Sequence, residues 1–259
     1  MRFGLIIIGS ELLTGKRKDA HLDRAIEILG EHGLELGWCK LLTDNLELIT
    51  AELRHSFRDK QAVVFSFGGI GSTPDDVTRQ SAARAAGMRL VRHAEARAII
   101  EARFGEAAYP HRIRMADLPQ HCRLVPNPVN QIPGFSVGHH HFLPGFPEMA
   151  WPMVEWVLKQ YYAGLFRSAP REVLLTVLQA SEGQLVALME AFVERFPGLQ
   201  LSSLPSMKGP QRETELGVRG EATAVEAAVE WLTDELRRGG FRWRQRAYLP
   251  AGGSRPERL

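Results

Sequence analysis

A run of strand-forming residues, Ala62-Val63-Val64-Phe65-Ser66-Phe67, passes directly into Gly68-Gly69-Ile70-Gly71-Ser72-Thr73-Pro74-Asp75-Asp76-Val77-Thr78. No other stretch restricts the fold as much. A buried strand, a glycine turn and then a helix over about residues 74–86 is a geometry that presents backbone N–H groups to an anion. Glycine takes positive φ and lets a ligand approach the backbone closely. The two carboxylates add a place for a metal ion or for proton transfer. Helix capping is a competing account. Thr73 as N-cap, Pro74 at N1 and Asp76 at N3 form a capping box, and both aspartates favour the positive end of the helix dipole. Capping explains Asp76 but not the three glycines before it, and on these residues alone both accounts stand.

The rest of the first half supplies a context. Residues 3–8 form a short apolar run of the buried parallel-strand kind. Leu22, Ile26 and Leu29 recur at helical spacing and are closed by Gly30 and Gly33. Residues 36–42 read as a second strand. Asp44 with Glu47 then caps a helix whose apolar stripe is Leu46, Ile49, Leu53 and Phe57. The order β-α-β-α-β-α predicts a mostly parallel sheet with helices on both faces. Ligands of such sheets bind beyond the C-terminal strand ends. Residues 9–14, 43–45 and 68–76 meet there, and they carry Glu11, Asp44, Asp75 and Asp76. That convergence favours a site over three unrelated caps.

From about residue 123 the pattern changes. Pro126-Asn127-Pro128 and Pro133-Gly134-Phe135 stiffen a loop, residues 135–143 read as a strand, and Pro144-Gly145-Phe146-Pro147-Glu148-Met149 turns into a helix bearing Trp151 and Trp156. The two tryptophans are expected in a core or interface. His139-His140-His141 reads as a polar strand face rather than a metal cluster. Arg79 and Arg84 read as solvated helix charges. After a linker at 167–170, a β-α-β-β-α order over 170–246 predicts a small α+β domain of ferredoxin-like outline. Residues 247–259 read as a disordered tail.

Composition excludes several classes. A net charge of +2 with scattered arginines argues against nucleic acid or an anionic membrane as partner. No apolar run is long enough to span a bilayer. Cys39 and Cys122 are the only cysteines, so the expectation is reduced thiols in a cytoplasmic protein, without a disulfide framework or zinc ribbon.

Taken together, the motifs resemble a known family. The glycine run is similar to the GGxGxTxDDxT signature of the MoaB/Mog molybdopterin-binding domain, in the form found at the N-terminus of CinA-type proteins. Ile8-Gly9-Ser10-Glu11-Leu12-Leu13-Thr14-Gly15 resembles that group's IGDELLxG opening, and Asp19 fits a following D. Residues 126–135 resemble its PNPxGxxPGF loop, and Leu143-Pro144-Gly145-Phe146-Pro147-Glu148-Met149 resembles its LPGVPxEM turn. Four motifs in order over about residues 1–160 make the match specific and place a MoaB/Mog-type domain at 1–166, and about 170–245 is similar to the small extension that often follows in CinA-type proteins. The resemblance implies a three-layer α/β fold and a pocket at the strand C-termini. The ligand it implies is a phosphorylated pterin, molybdopterin itself, or a nucleotide. Divalent-metal hydrolysis of a pyrophosphate such as ADP-ribose is associated with CinA-type relatives, and relatives self-associate as dimers or trimers.

Carried over by residue, Asp76 and Asp44 match the family's functional aspartates, the catalytic candidates here. Asp75, Asp76 and Glu11 are the candidate ligands of Mg²⁺, Mn²⁺ or Co²⁺. Gly9, Ser10, Gly68, Gly69, Gly71, Ser72, Thr73, Asn127, Pro144 and Gly145 are the candidate ligand-binding residues. Ser10 stands where the group carries Asp, Ser72 where Pro is usual and Asn130 where Gly is common. Loss of the acid at Ser10 weakens the hydrolase expectation. The amidohydrolase domain that ends full-length CinA has no counterpart in these residues, so that activity is not expected. Three classes follow: a metal-dependent pyrophosphatase, a non-catalytic molybdopterin-binding or cofactor-synthesis protein, and an interaction module without chemistry.

Overall fold

The computed structural model describes residues 1–208 and 211–250. The chain divides into two compact units, Met1–Leu29 with Leu34–Phe166, and Gly30–Gly33 with Arg167–Leu259.

The first part of the chain runs β1 (Arg2–Ile8), α1 (Ser10–Leu13), α2 (His21–Glu31), β2 (Leu36–Leu42), α3 (Leu46–Ser56), β3 (Ala62–Phe67), α4 (Thr78–Ala85), β4 (Leu90–Arg92), α5 (Ala94–Phe104), β5 (Asp117–Pro119), β6 (Arg123–Val125), β7 (Gly134–Val137), β8 (His140–Leu143) and α6 (Pro147–Tyr161). Six strands form one sheet in the order β2-β1-β3-β8-β7-β6. β1 is parallel to β2 and β3, β3 is parallel to β8, and β6 and β7 close the sheet as antiparallel strands. Side chains alternate across the sheet with a period of two. Phe3, Leu5 and Ile7 therefore pack with Val63, Phe65 and Phe67 against Ile28 and Leu29 of α2 and Met153, Val154 and Val157 of α6. Ile6, Ile8 and Val64 pack on the other face against Ile49 and Leu53 of α3, Ala82 of α4 and Ile100 of α5. A one-residue slip of β1 or β3 would exchange the two sets, so this double burial pins the register. The result is the expected three-layer α/β unit with a mostly parallel sheet.

Residues 135–143 are a hairpin rather than a single strand. Gly138 takes φ +59 in the turn and Phe135 pairs with Phe142 across it. Nor do the histidines make a polar surface. His140 and His141 are buried: His140 Nε2 meets Ser56 Oγ at 2.7 Å, while His141 contacts Ser136 Oγ at 2.8 Å and the Tyr162 hydroxyl at 2.9 Å. Each ring is satisfied by neutral hydroxyls, which is how a histidine tolerates a core.

In the second unit, β9 (Arg171–Leu178), α7 (Glu182–Arg195), β10 (Gln200–Lys208), β11 (Gln211–Gly220), α8 (Ala222–Arg238) and β12 (Arg242–Pro250) form a four-stranded antiparallel sheet in the order β10-β11-β9-β12. This is the ferredoxin-like arrangement expected. Val173, Leu175, Val177, Leu216 and Val218 meet Leu185 and Phe192 of α7 and Leu232 and Leu236 of α8. Residues 247–250 of the expected tail belong instead to β12, which pairs with β9 as far as Pro250↔Arg171; the rest of that expectation, residues 251–259, lies outside the described residues. Among the described residues no helix is long and apolar enough to cross a membrane.

Candidate functional site

The site lies at the C-terminal ends of β1, β2 and β3. β1 ends in Ile8-Gly9, β2 leads to Asp44, and β3 ends at Phe67 before the glycine run. The helix expected from Pro74 starts instead at Thr78. Two sets of hydrogen bonds delay it. Asp76 Oδ2 accepts from the Thr73 N–H at 2.8 Å and from Thr73 Oγ1 at 2.5 Å. Thr78 donates its N–H to Gly69 O at 3.0 Å and its hydroxyl to Gly68 O at 3.0 Å. Asp76 is thus not a helix cap; it closes residues 73–76 on themselves. Gly68 and Gly69 take φ +97 and +68, and a Cβ at Gly69 would collide with Thr78 Oγ1. No protein acceptor among the described residues takes the N–H groups of Gly69, Ile70, Gly71 or Ser72. Successive free N–H groups in a positive-φ loop form an anion-binding nest. These N–H groups belong to the loop itself rather than to the helix terminus the sequence suggested.

A cavity of about 530 Å³ opens over this loop, within the range of small-molecule sites. Of the candidate residues, Gly9, Glu11, Asp44, Gly68, Gly69, Gly71, Ser72, Thr73, Asp75, Asp76, Asn127, Pro144 and Gly145 line it. Ser10 does not. It sits behind the wall, where its N–H and hydroxyl both donate to Asp44 Oδ2 at 2.8 Å and its oxygen accepts from the Asp44 N–H at 3.1 Å. That bond also corrects the expected cap of α3: Asn45, not Asp44, is the N-cap, accepting from the Leu48 N–H at 2.9 Å. The first and second strand ends are therefore tied by a neutral hydroxyl on a carboxylate. Asn127 is buried and spends its oxygen on Val129 N–H at 3.0 Å, leaving its amide NH₂ as the donor available to a ligand.

Arg79 is not a solvated charge. It is 3% exposed and donates through Nη2 to Gly71 O at 2.8 Å and through Nη1 to Asp117 O at 3.1 Å and to Arg114 O. It braces the loop from behind while burial draws its pKa down, opposed by the charges of Asp76 and Asp117. Arg84 is exposed and pairs with Glu47.

Phe104 and Met115 carried no signal in isolation; with Ile132, Phe146 and Met149 of the loop and turn motifs they give the cavity an apolar portion, and Arg17 and Lys18 its cations. His21 stacks on Phe67 with centroids 4.3 Å apart and contacts Gly145 O at 3.3 Å, while Asp19 caps α2 through His21 and Leu22 N–H. Burial lowers the His21 pKa, opposed by its contact with Gly145 O and by the charge of Asp19. The acids do not gather. Among the described residues no three His, Cys, Asp or Glu side chains form a metal-holding group. Glu11 packs against Gly9, Asp44 is bonded by Ser10 and Asp76 by Thr73.

The family described as "Probable molybdopterin binding domain" matches residues 4–163. A CinA-like protein of Citrifermentans bemidjiense is 31% identical over 210 residues, covering 78% of this chain and 50% of the relative. One from Syntrophotalea carbinolica is 34% identical over 191 residues, covering 70% of this chain and 46% of its own. The chain thus spans about half the length of these relatives. Protein Ta0487 of Thermoplasma acidophilum is 27% identical, with 91% of this chain and 93% of that one covered. The crystal structure of "the protein CinA with unknown function" from the same organism superposes with a TM-score of 0.56 at 29% identity, covering 61% of this chain and 96% of that one.

Proposed function

The chain belongs to the family of probable molybdopterin binding domains, and from that premise we propose that the cavity of its first unit binds a phosphorylated pterin or nucleotide without a resident metal. The observation that carries this reading is the row of four acceptor-free N–H groups in Gly69 to Ser72, residues that line the cavity. A phosphate there would take several N–H donors at once, with Arg17 and Lys18 supplying positive charge. The Asn127 amide would fix orientation, and the apolar portion of the cavity would take the ring system. Asp76 holds the loop in shape through Thr73. The replacement of a family acid by Ser10, and its bond to Asp44, favour binding over hydrolysis.

A panel of ADP-ribose, FAD, NAD and an adenylylated pterin, with Mg²⁺, Mn²⁺ or Co²⁺, tests this against wild type and Asp76→Asn. The expected result is a ligand-induced rise in Tm with no turnover, and a smaller rise in the folded variant. Metal-dependent cleavage that disappears in Asp76→Asn would replace the binding reading with hydrolysis. No binding of any member would leave an interaction module.

A further inference from the structure

Phe146 is in a costly place for a phenylalanine. It is 55% exposed and lines the cavity. It also occupies the N-cap position of α6, where it makes no side-chain cap hydrogen bond. Ser, Thr, Asp or Asn would stabilise the helix there, and phenylalanine can supply no such bond. A half-exposed aromatic that makes no cap breaks a local rule, and such breaks concentrate at functional positions. Its neighbour Gly145 abuts the glycine loop, where an added Cβ would stand 3.3 Å from Gly68 Cα, and Phe146 lines the same cavity as that loop. The Arg17 guanidinium lies over the ring at 5.9 Å from its centroid, so the ring already takes a planar cation against its face.

Resting on the binding reading above, we propose that Phe146 is the stacking platform for a planar nitrogen heterocycle, purine or pterin, whose phosphate sits on the N–H groups of Gly69 to Ser72. The ring is rigid and sequence-tolerant as a stacking surface, because every heterocycle offers a π-face. Arg17, beside it, would serve the anionic end of the same ligand. Phe146 is then a specificity residue: it separates ring-bearing phosphates from ring-free ones.

The test is calorimetric titration of wild type, Phe146→Ser and Phe146→Trp with ADP-ribose, neopterin phosphate, ribose 5-phosphate and pyrophosphate. Phe146→Ser supplies the missing cap, so its Tm should hold or rise. Its affinity for ADP-ribose or neopterin phosphate should nevertheless fall from about fivefold to about a hundredfold, with under about twofold change for pyrophosphate. Phe146→Trp should keep the affinity, and the new indole fluorescence should be quenched by the bound ring. Which ring-bearing probe shows the loss separates purine from pterin. Equal binding of the ring-bearing probes by wild type and Phe146→Ser would overturn the stacking role and leave the cradle standing. Failure of all four probes to bind wild type would overturn the binding reading and this inference with it.

Discussion

Gly68→Ala is expected to destabilise the first unit by about 2–5 kcal/mol, combining the cost of an L-residue at left-handed φ with that of overpacking. The backbone at Gly68 has φ +97, and an added Cβ would collide with the carbonyl oxygen of Ile8. That oxygen cannot yield easily. It belongs to β1, which is paired on one side with β2 and on the other with β3. Gly68 is itself held by its N–H to Leu143 O at 3.0 Å and its carbonyl to Thr78 Oγ1 at 3.0 Å. A loss of this size is a large share of a total stability of about 5–15 kcal/mol. Gly15→Ala is the control. Gly15 has φ +72 but nothing within 4 Å of an added Cβ, so it should show the conformational cost alone. Urea unfolding of the two variants checks this. Equal destabilisation would mean that the close approach to Ile8 is not what requires glycine.

The second large effect is acid lability of the first unit. Burial pushes both His140 and His141 down from 6.5 to about 3, with neighbouring histidines adding to the shift. Folded-state values below the unfolded ones mean that, as pH falls, the unfolded chain takes up these protons first. The stability from keeping the rings neutral is fully present above about pH 7 and is lost progressively from about 6.5 towards 3. Between pH 7 and 5 each histidine should contribute a loss of about 2 kcal/mol. Urea midpoints across that range, with constant slope m, would measure it. Replacing His141 with Gln should remove roughly half of the pH dependence, since the hydroxyls of Ser136 and Tyr162 can still be bonded by a neutral amide. A profile flat from pH 7 to 5 would contradict the burial of these rings as neutral groups.

The sheet was legible because β1 and β3 are short apolar runs ended by glycine, and helix stripes such as Ile49 and Leu53 repeat at the right period. The errors share one cause: local chemistry satisfied by distant groups. Thr73-Pro74-Asp75-Asp76 fits a capping box, but Thr78 bonds back to Gly68 and Gly69 and postpones the helix. Asp44 fits a cap, yet Ser10, 34 residues earlier, takes its carboxylate. Arg79 reads as a surface charge until the carbonyls of Gly71, Arg114 and Asp117 converge on it. Most candidate site residues line one cavity because they lie in contiguous motifs at strand ends. Phe104 and Met115 did not, since an apolar wall drawn from separate elements leaves no spacing to read. Arg17 and Lys18 fall between the opening motif, which ends at Gly15, and Asp19, at positions the resemblance does not define.

The most direct test of the central claim is the amide spectrum of the ¹⁵N-labelled protein titrated with ADP-ribose. If the glycine loop is the anion cradle, the amide protons of Gly69, Ile70, Gly71 and Ser72 should move downfield together, saturating with a single affinity. Saturable binding that leaves those four amides unmoved, with shifts confined to other residues, would contradict the account.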